Sequence, residues 1–161
     1  MALALAACSA SDAAPGSAGS ALPPGVNPPF APPVGPIATV PAGWVSLPAV
    51  ALAARSQIEH STADAWGEPA RGCYAATVTF AQRGATAALL DDVKQAVSVR
   101  DVVAPATPSG VLSFAFEKAG YQGRVRATLD GTTVTALACF WNRREPAGCE
   151  AACTAMIGSM K

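Results

Sequence analysis

Cysteine is the residue type in this sequence with the widest chemical scope, and four cysteines lie between positions 73 and 153: Cys73, Cys139, Cys149 and Cys153. Their spacing allows three chemistries. The run C-x9-C-x3-C could bind zinc through thiolates, the pair Cys149 and Cys153 could cycle as a redox dithiol, or the four could form two disulfides. Structural zinc sites prefer C-x2-C pairs and thioredoxin-like sites use CxxC, so the observed spacing favours disulfides.

The remaining polar residues do not form a recognisable catalytic set. His60 is the single histidine, and no G-x-S-x-G motif marks a serine nucleophile for it. Asp91 and Asp92 are neighbours on a predicted helix, where they point about 100° apart and do not aim at one bond. Neither of the glycine-rich nucleotide-binding motifs is present. We therefore expect no catalytic residue, no metal, no cofactor and no enzymatic activity.

The fifth cysteine lies close to the first residue, in the segment Leu5-Ala6-Ala7-Cys8. These four residues resemble the lipobox of bacterial lipoproteins. The resemblance implies that a signal peptidase cuts before Cys8 and that acyl chains are attached to this residue. Signal peptides also have a positive n-region and a longer apolar segment, which MALALAA lacks. We therefore expect residues 1–7 to be a truncated signal peptide, with the true translation start upstream.

The lipobox resemblance also implies where in the cell the protein is located, and this location favours one of the three cysteine chemistries. In enterobacterial lipoproteins, a serine after the lipidated cysteine, here Ser9, implies transport to the outer membrane. We expect a protein of the cell envelope, on the outer membrane and facing the periplasm or the surface. Thiols are oxidised in that compartment, so two disulfides are the favoured chemistry.

The predicted disulfide pairing follows from helix geometry and loop length. Cys149 and Cys153 lie one turn apart on the same face of a predicted helix, so each should bond to a strand rather than to the other. The loop from Cys139 to Cys149 is the shorter one. The sequence therefore predicts the bridges Cys139–Cys149 and Cys73–Cys153.

Residues 8–36 are predicted to be a tether between the lipidated cysteine and a folded domain. The segment is rich in Pro, Gly, Ala and Ser, and its apolar residues follow no helical or strand period. Such a composition cannot bury enough apolar surface to offset the entropy lost on ordering. Residues 37–161 then form one domain, which is a usual domain length.

Hydrophobic periodicity predicts an α+β fold for that domain. Leu112, Phe114 and Phe116 alternate with polar or small residues, as in a half-buried strand. The dipeptide Asp130-Gly131 is the strongest hairpin signal, and it joins the last two strands of a three-stranded meander. We expect a mostly antiparallel sheet packed against two or three helices, in the order ββαβαβββα. The predicted strands are 37–40, 44–47, 73–80, 112–116, 124–129 and 132–140, and the predicted helices are 48–60, 85–97 and 146–160.

Charge limits the classes of partner that this chain can have. Lys+Arg and Asp+Glu both number 11, and no run of basic residues is present, so nucleic acid is excluded as a partner. No stretch of about 20 apolar residues exists, so membrane attachment requires the lipid. Four arginines in and after the meander form a candidate patch for an anionic partner: Arg124, Arg126, Arg143 and Arg144.

The sequence thus predicts a lipid-anchored cell-envelope protein whose domain binds or scaffolds an envelope protein or a cell-wall partner. Two alternatives stay open. One is an envelope thiol-redox protein, or another small enzyme, that uses Cys149 and Cys153. The other is an envelope lipid or ligand carrier, which requires a continuous apolar cavity between the sheet and the helices.

Overall fold

The computed structural model describes residues 37–82, 86–107, 109–144 and 148–161. Residues 1–36, with the predicted signal peptide, the lipidation site Cys8 and the tether, lie outside the described residues, as do the predicted helix starts at Ala85 and Pro146. The elements in chain order are β1 (Val45–Ser46), α1 (Pro48–Ser56), β2 (Thr62–Glu68), a 3-10 helix (Pro69–Arg71), β3 (Cys73–Ala81), α2 (Thr86–Ala96), β4 (Ser98–Val103), β5 (Gly110–Lys118), β6 (Tyr121–Asp130), β7 (Thr133–Asn142) and α3 (Cys149–Gly158).

The seven strands form one antiparallel sheet in the order β1-β2-β3-β7-β6-β5-β4. The predicted fold class, α+β with a C-terminal meander, is confirmed: β5, β6 and β7 are consecutive and neighbouring. Hydrophobic residues on the strands alternate with polar ones, which gives the sheet two distinct faces. Helices cover both faces, so the domain has three layers.

One face, here called the α1/α2 face, carries the larger core. Ile58 beyond α1 and Val93 of α2 pack on alternate strand residues such as Phe80, Phe116 and Val125. A cluster of aromatic rings from β3, β5, β6 and β7 closes this core, with Tyr74 of β3 stacked on Phe140 of β7 at a centroid distance of 5.4 Å. Phe80 and Phe116 are 2 % and 0 % exposed, so this face is fully desolvated at its centre.

The opposite face, here called the α3 face, carries a second and smaller core. Cys149, Cys153 and Met156 of α3 pack on Leu137 and Trp141, and all five side chains are buried. The prediction that the sheet packs against a C-terminal helix is confirmed. Trp44 and Trp66 are partly buried against the same cluster.

The chain before β1 is not the strand that was predicted for 37–40. Ile37 and Thr39 instead pack beside the end of α3: the Lys161 N–H donates to the Ile37 carbonyl at 3.2 Å, and the Thr39 N–H donates to Ser159 Oγ at 2.8 Å. Ile37 and Val40 are partly buried against the core of the α3 face, so the apolar character of this segment reflects packing beside a helix and not a strand.

Two strands were missed because their sequences lack a clear period. In β2, Ala63 and Ala65 are the inward residues, and alanine gives little hydrophobic contrast. In β4, Asp101 has φ 54° and the register with β5 shifts between Arg100 and Val103, which breaks the alternation. The observed order is therefore βαββαββββα rather than ββαβαβββα. Helix α1 also ends at Ser56, earlier than predicted.

Candidate functional site

The four domain cysteines form two disulfides, Cys73–Cys149 and Cys139–Cys153, with Cα–Cα distances of 5.6 and 5.5 Å. The predicted presence of two bridges, each from α3 to a strand, is confirmed, but the predicted pairing is wrong. Strand β7 ends at Asn142, and α3 begins at the same end of the sheet, where Cys73 lies opposite Trp141. The first helix cysteine therefore meets Cys73, and the second, one turn later, meets Cys139. The direction in which α3 runs over the sheet decides which cysteines pair. The length of the loop between them, on which the prediction relied, does not.

The environment of the bridges is that of a core rather than of a redox centre. Each of the four cysteines is at most 1 % exposed. Cys149 and Cys153 are not bonded to each other, so the pair cannot act as a dithiol unless both bridges to the strands are broken first. Within the described ranges, no group of three or more His, Cys, Asp or Glu side chains is arranged to hold a metal ion.

The other residues considered for catalysis are separated in the structure. His60 is exposed, with φ 56°, in the connection between α1 and β2. Asp91 lies on α2 and forms an exposed ion pair with Lys94 at 3.6 Å. These two residues belong to different elements on the α1/α2 side, and the structure gives no contact between them.

The predicted arginine patch divides into two groups. Arg124 and Arg126 both point to the α3 face of β6, as the alternation predicts. Arg124 is half exposed and pairs with Glu150 of α3 at 3.3 Å. Arg126 lies across from Leu137 and Ser113, and its Nε is buried without a hydrogen-bond partner.

Arg143 and Arg144 follow β7, at the end of the sheet near the β5–β6 hairpin. Arg144 is exposed, and its backbone N–H donates to the Asn142 side chain at 2.9 Å. Arg143 forms an ion pair with Glu117 at 3.0 Å, and Arg100 of β4 pairs with the other oxygen of the same carboxylate at 3.3 Å. Arg100 and Glu117 were not identified from the sequence as an ion pair, because only the β4–β5 register brings them together.

A cleft of about 730 Å³ opens beside this ion-pair cluster, where the end of α2, the start of β4 and the β5–β6 hairpin meet. Its charged lining consists of Lys94, Lys118, Arg143 and Glu117, so three cations face one carboxylate. The remaining lining includes the polar side chains of Gln95 and Ser98. None of the described residues that line it is aromatic. This polar cleft was not predicted, since its walls come from three separate segments of the chain, residues 94–99, 117–120 and 143.

The space between the sheet and the α1/α2 layer is much smaller. A void of about 10 Å³ lies among Phe80, Leu89 and Phe114, which is about the volume that one water molecule needs. A void of this size is too small to hold a lipid. Within the described residues, no helix has the length and the apolar character needed to cross a membrane.

Comparisons of the chain with protein-family models, with curated proteins and with solved structures gave no match.

Proposed function

We propose that this chain is an exported protein, anchored to the cell envelope by acyl chains on Cys8, whose domain 37–161 binds or scaffolds a partner without catalysis. The observation that carries this proposal is the pair of buried disulfides that fix α3 to the sheet. Native disulfides form and persist outside the reducing cytoplasm. A domain that contains two of them is therefore suited to the compartment that the lipobox resemblance implies.

The anchor itself rests on the residues around Cys8. Acyl chains contribute roughly 0.8 kcal/mol per buried methylene, so several chains on one cysteine hold a protein firmly to a bilayer. Beyond Cys8, 28 residues precede Ile37. A Pro-rich chain extends by at most about 3.1 Å per residue, so this segment can hold the domain on the order of 85 Å from the surface.

A non-catalytic role is favoured over thiol-redox chemistry by the surroundings of Cys149 and Cys153. Reactive cysteines lie in partly exposed, electropositive sites, whereas these two are 1 % and 0 % exposed and bonded to separate strands. A carrier role is disfavoured by the 10 Å³ void beneath α1 and α2. A binding role needs only an exposed surface, and the polar cleft and the exposed arginines provide two such surfaces.

Mass spectrometry of the chain isolated from its native source tests the anchor. We expect the N-terminal peptide to begin at Cys8 and to carry the added mass of acyl chains. Cys8→Ser should move the protein from the membrane fraction to the soluble fraction, whereas the neighbouring change Ser9→Ala should leave it on the membrane. An unmodified Cys8 in membrane-associated protein would refute the anchor.

A thiol count under denaturing conditions without reductant tests the compartment and the redox alternative together. We expect no free thiol among Cys73, Cys139, Cys149 and Cys153 in protein from the native source. Four free thiols would contradict export. Two thiols that cycle with a reductant while the domain stays folded would instead support the redox function.

A further inference from the structure

We infer that the cleft between α2 and the β5–β6 hairpin binds an acidic sugar unit, that is, a carboxylate or phosphate group flanked by hydroxyls. The inference gives a ligand class to the binding role proposed above and rests on that role, but it does not depend on the lipid anchor. The cleft volume of about 730 Å³ lies within the usual range of small-ligand sites, about 300 to 1,000 Å³.

The charge of the lining favours an anion. Two of the three lysines of the chain, Lys94 and Lys118, line the cleft together with Arg143. Against these three cations the lining has one acid, Glu117. The pair that Lys94 forms with Asp91 is long and exposed, at 3.6 Å, and such pairs contribute little. Lys94 is therefore available to a ligand.

Glu117 shows where the anionic group of a ligand would lie. Its two carboxylate oxygens accept from Arg100 and Arg143, which belong to different elements and converge only here. Two guanidinium groups around one carboxylate are the arrangement that also recognises a ligand carboxylate or phosphate. Arg143 lines the cleft and Arg100 does not, so an incoming anion must compete with Glu117 for Arg143.

The other wall of the cleft suits hydroxyl groups. The last carbonyls of a helix lack intrahelical partners, and the end of α2, around Gln95 and Ala96, lines the cleft. These carbonyls and the Gln95 and Ser98 side chains can accept hydrogen bonds from hydroxyls. The negative end of the helix dipole repels an anion, so the charged group is expected at Lys118 and Arg143, with the hydroxyls toward α2.

The test uses the full chain with Cys8→Ser, so that its outcome is independent of acylation. Backbone amide shifts are followed by NMR during titration with glucuronic acid and with glucose 6-phosphate. We expect saturable shifts at residues 94–99, 117–120 and 143. Glucose lacks the charged group and inorganic phosphate lacks the sugar hydroxyls. Each should bind at least about tenfold more weakly, as loss of one charged hydrogen bond or of two neutral ones implies.

Each arm has an outcome that overturns the inference. If neither acidic sugar shifts the cleft amides, the cleft is not the proposed site, while an acylated Cys8 would leave the anchor intact. If inorganic phosphate binds as tightly as glucose 6-phosphate, the hydroxyl wall takes no part. If glucose binds as tightly as the acidic sugars, the charge takes no part. Binding of the acidic sugars to other amides only would also contradict the inference.

Two variants separate the site from nonspecific charge. Lys118→Ala should weaken binding of glucuronic acid about tenfold, whereas Lys161→Ala, the same change at the exposed C-terminal lysine, should have no effect. Glu117→Gln should strengthen binding severalfold, because the competing carboxylate is removed. Weaker binding by Glu117→Gln would refute the role of Glu117 as a competitor. Thermal unfolding of each variant checks that the domain stays folded.

Discussion

Ala119 adopts a backbone conformation that asparagine tolerates better than alanine. It is the first of two residues between Lys118 and Tyr121 in the β5–β6 hairpin, and its φ of 49° is followed by 84° at Gly120. Positive φ at both positions is typical of a type I′ turn, which favours Asn-Gly. Relief of this conformational cost should make Ala119→Asn more stable by about 0.5 to 1 kcal/mol.

Chemical denaturation of the variant and the parent measures this gain. The control is Ala155→Asn, an exposed position inside α3, where the same change should cost about 0.5 kcal/mol through helix propensity. Equal effects of the two substitutions would show that the hairpin conformation is not the cause.

Gly123 provides the space that the aromatic cluster of the α1/α2 face occupies. It lies between Phe116 and Phe140 on neighbouring strands, and an added Cβ would approach the Phe116 ring at 2.7 Å and the Cys139 carbonyl oxygen at 2.5 Å. One of these neighbours is backbone, so relief requires a strand to move. Gly123→Ala should therefore cost about 1 to 3 kcal/mol.

Urea denaturation of Gly123→Ala measures the cost. Gly158→Ala serves as control, because no atom lies within 4 Å of a Cβ added there, and it should be neutral or stabilising by less than about 1 kcal/mol. A Gly123→Ala protein as stable as the parent would mean that the aromatic cluster rearranges freely.

Individual residues could be assigned roles from the sequence only where the role depends on local pattern. Strand alternation places Arg124 and Arg126 on one face of β6, opposite to the face that Val125 presents to the larger core. The ion pairs of Glu117 with Arg100 and Arg143 depend on strand register and on a turn after β7, which periodicity does not specify. For the same reason, the sequence indicated basic residues but not the cleft that two lysines and Arg143 line.

Helix α3 is joined to the sheet by two covalent bonds that close loops of very different length. The bridge Cys73–Cys149 has a sequence separation of 76, and Cys139–Cys153 one of 14. Loop-closure entropy predicts about 4.5 kcal/mol for the first and about 3 kcal/mol for the second. The double variant Cys73→Ala/Cys149→Ala should therefore be the less stable one.

Guanidinium denaturation of the two double variants compares the bridges. Because all four sulfurs are buried to a similar extent, each variant leaves similar cavities and serves as the other's control. A larger loss in Cys139→Ala/Cys153→Ala would show that packing of α3 on β7, rather than the entropy of the unfolded chain, dominates the stabilisation.

Among the secondary-structure elements, those with strong hydrophobic contrast were predictable and those without it were not. Strands β5, β6 and β7 alternate large apolar and polar residues, and α2 repeats Leu89, Val93 and Val97 every four residues. Strand β2 buries alanines, and β4 is an exposed edge strand with a bulge at Asp101. Alternating hydrophobicity indicates a strand clearly only where large apolar side chains on one face alternate with polar ones on the other. Strands with small buried residues and exposed edge strands therefore show only a weak alternation.

The molecule as a whole has equal numbers of acidic and basic residues, yet their distribution is uneven. Basic side chains gather at the β4–β5–β6 side of the sheet, with Arg100, Arg124 and Arg126 on one face and Lys118 and Arg143 at its end. The net charge of the chain could not reveal this asymmetry. The sheet order brings these cations together, and that order was not available from the sequence.

The two cores of residues 37–161 predict that this part of the chain folds without the segment 1–36. Both cores are built within the described residues, and the disulfides join elements inside the same range. If residues 8–36 are the predicted tether, they bury no apolar area, and removal of residues 1–36 should change the free energy of unfolding by less than about 0.5 kcal/mol. Urea denaturation of the full chain with Cys8→Ser and of residues 37–161 compares the two.

The same comparison tests whether residues 1–36 cover part of the α3 face. Thr77 and Thr79 point to this face and are only 1 % and 2 % exposed. If α3 and Ile37–Val40 are sufficient to cover these hydroxyls, both proteins unfold at the same urea concentration and with the same m-value. If the truncated domain loses more than about 1 kcal/mol, residues 1–36 pack on the sheet. The reach available between Cys8 and the domain would then be shorter than that of an extended chain.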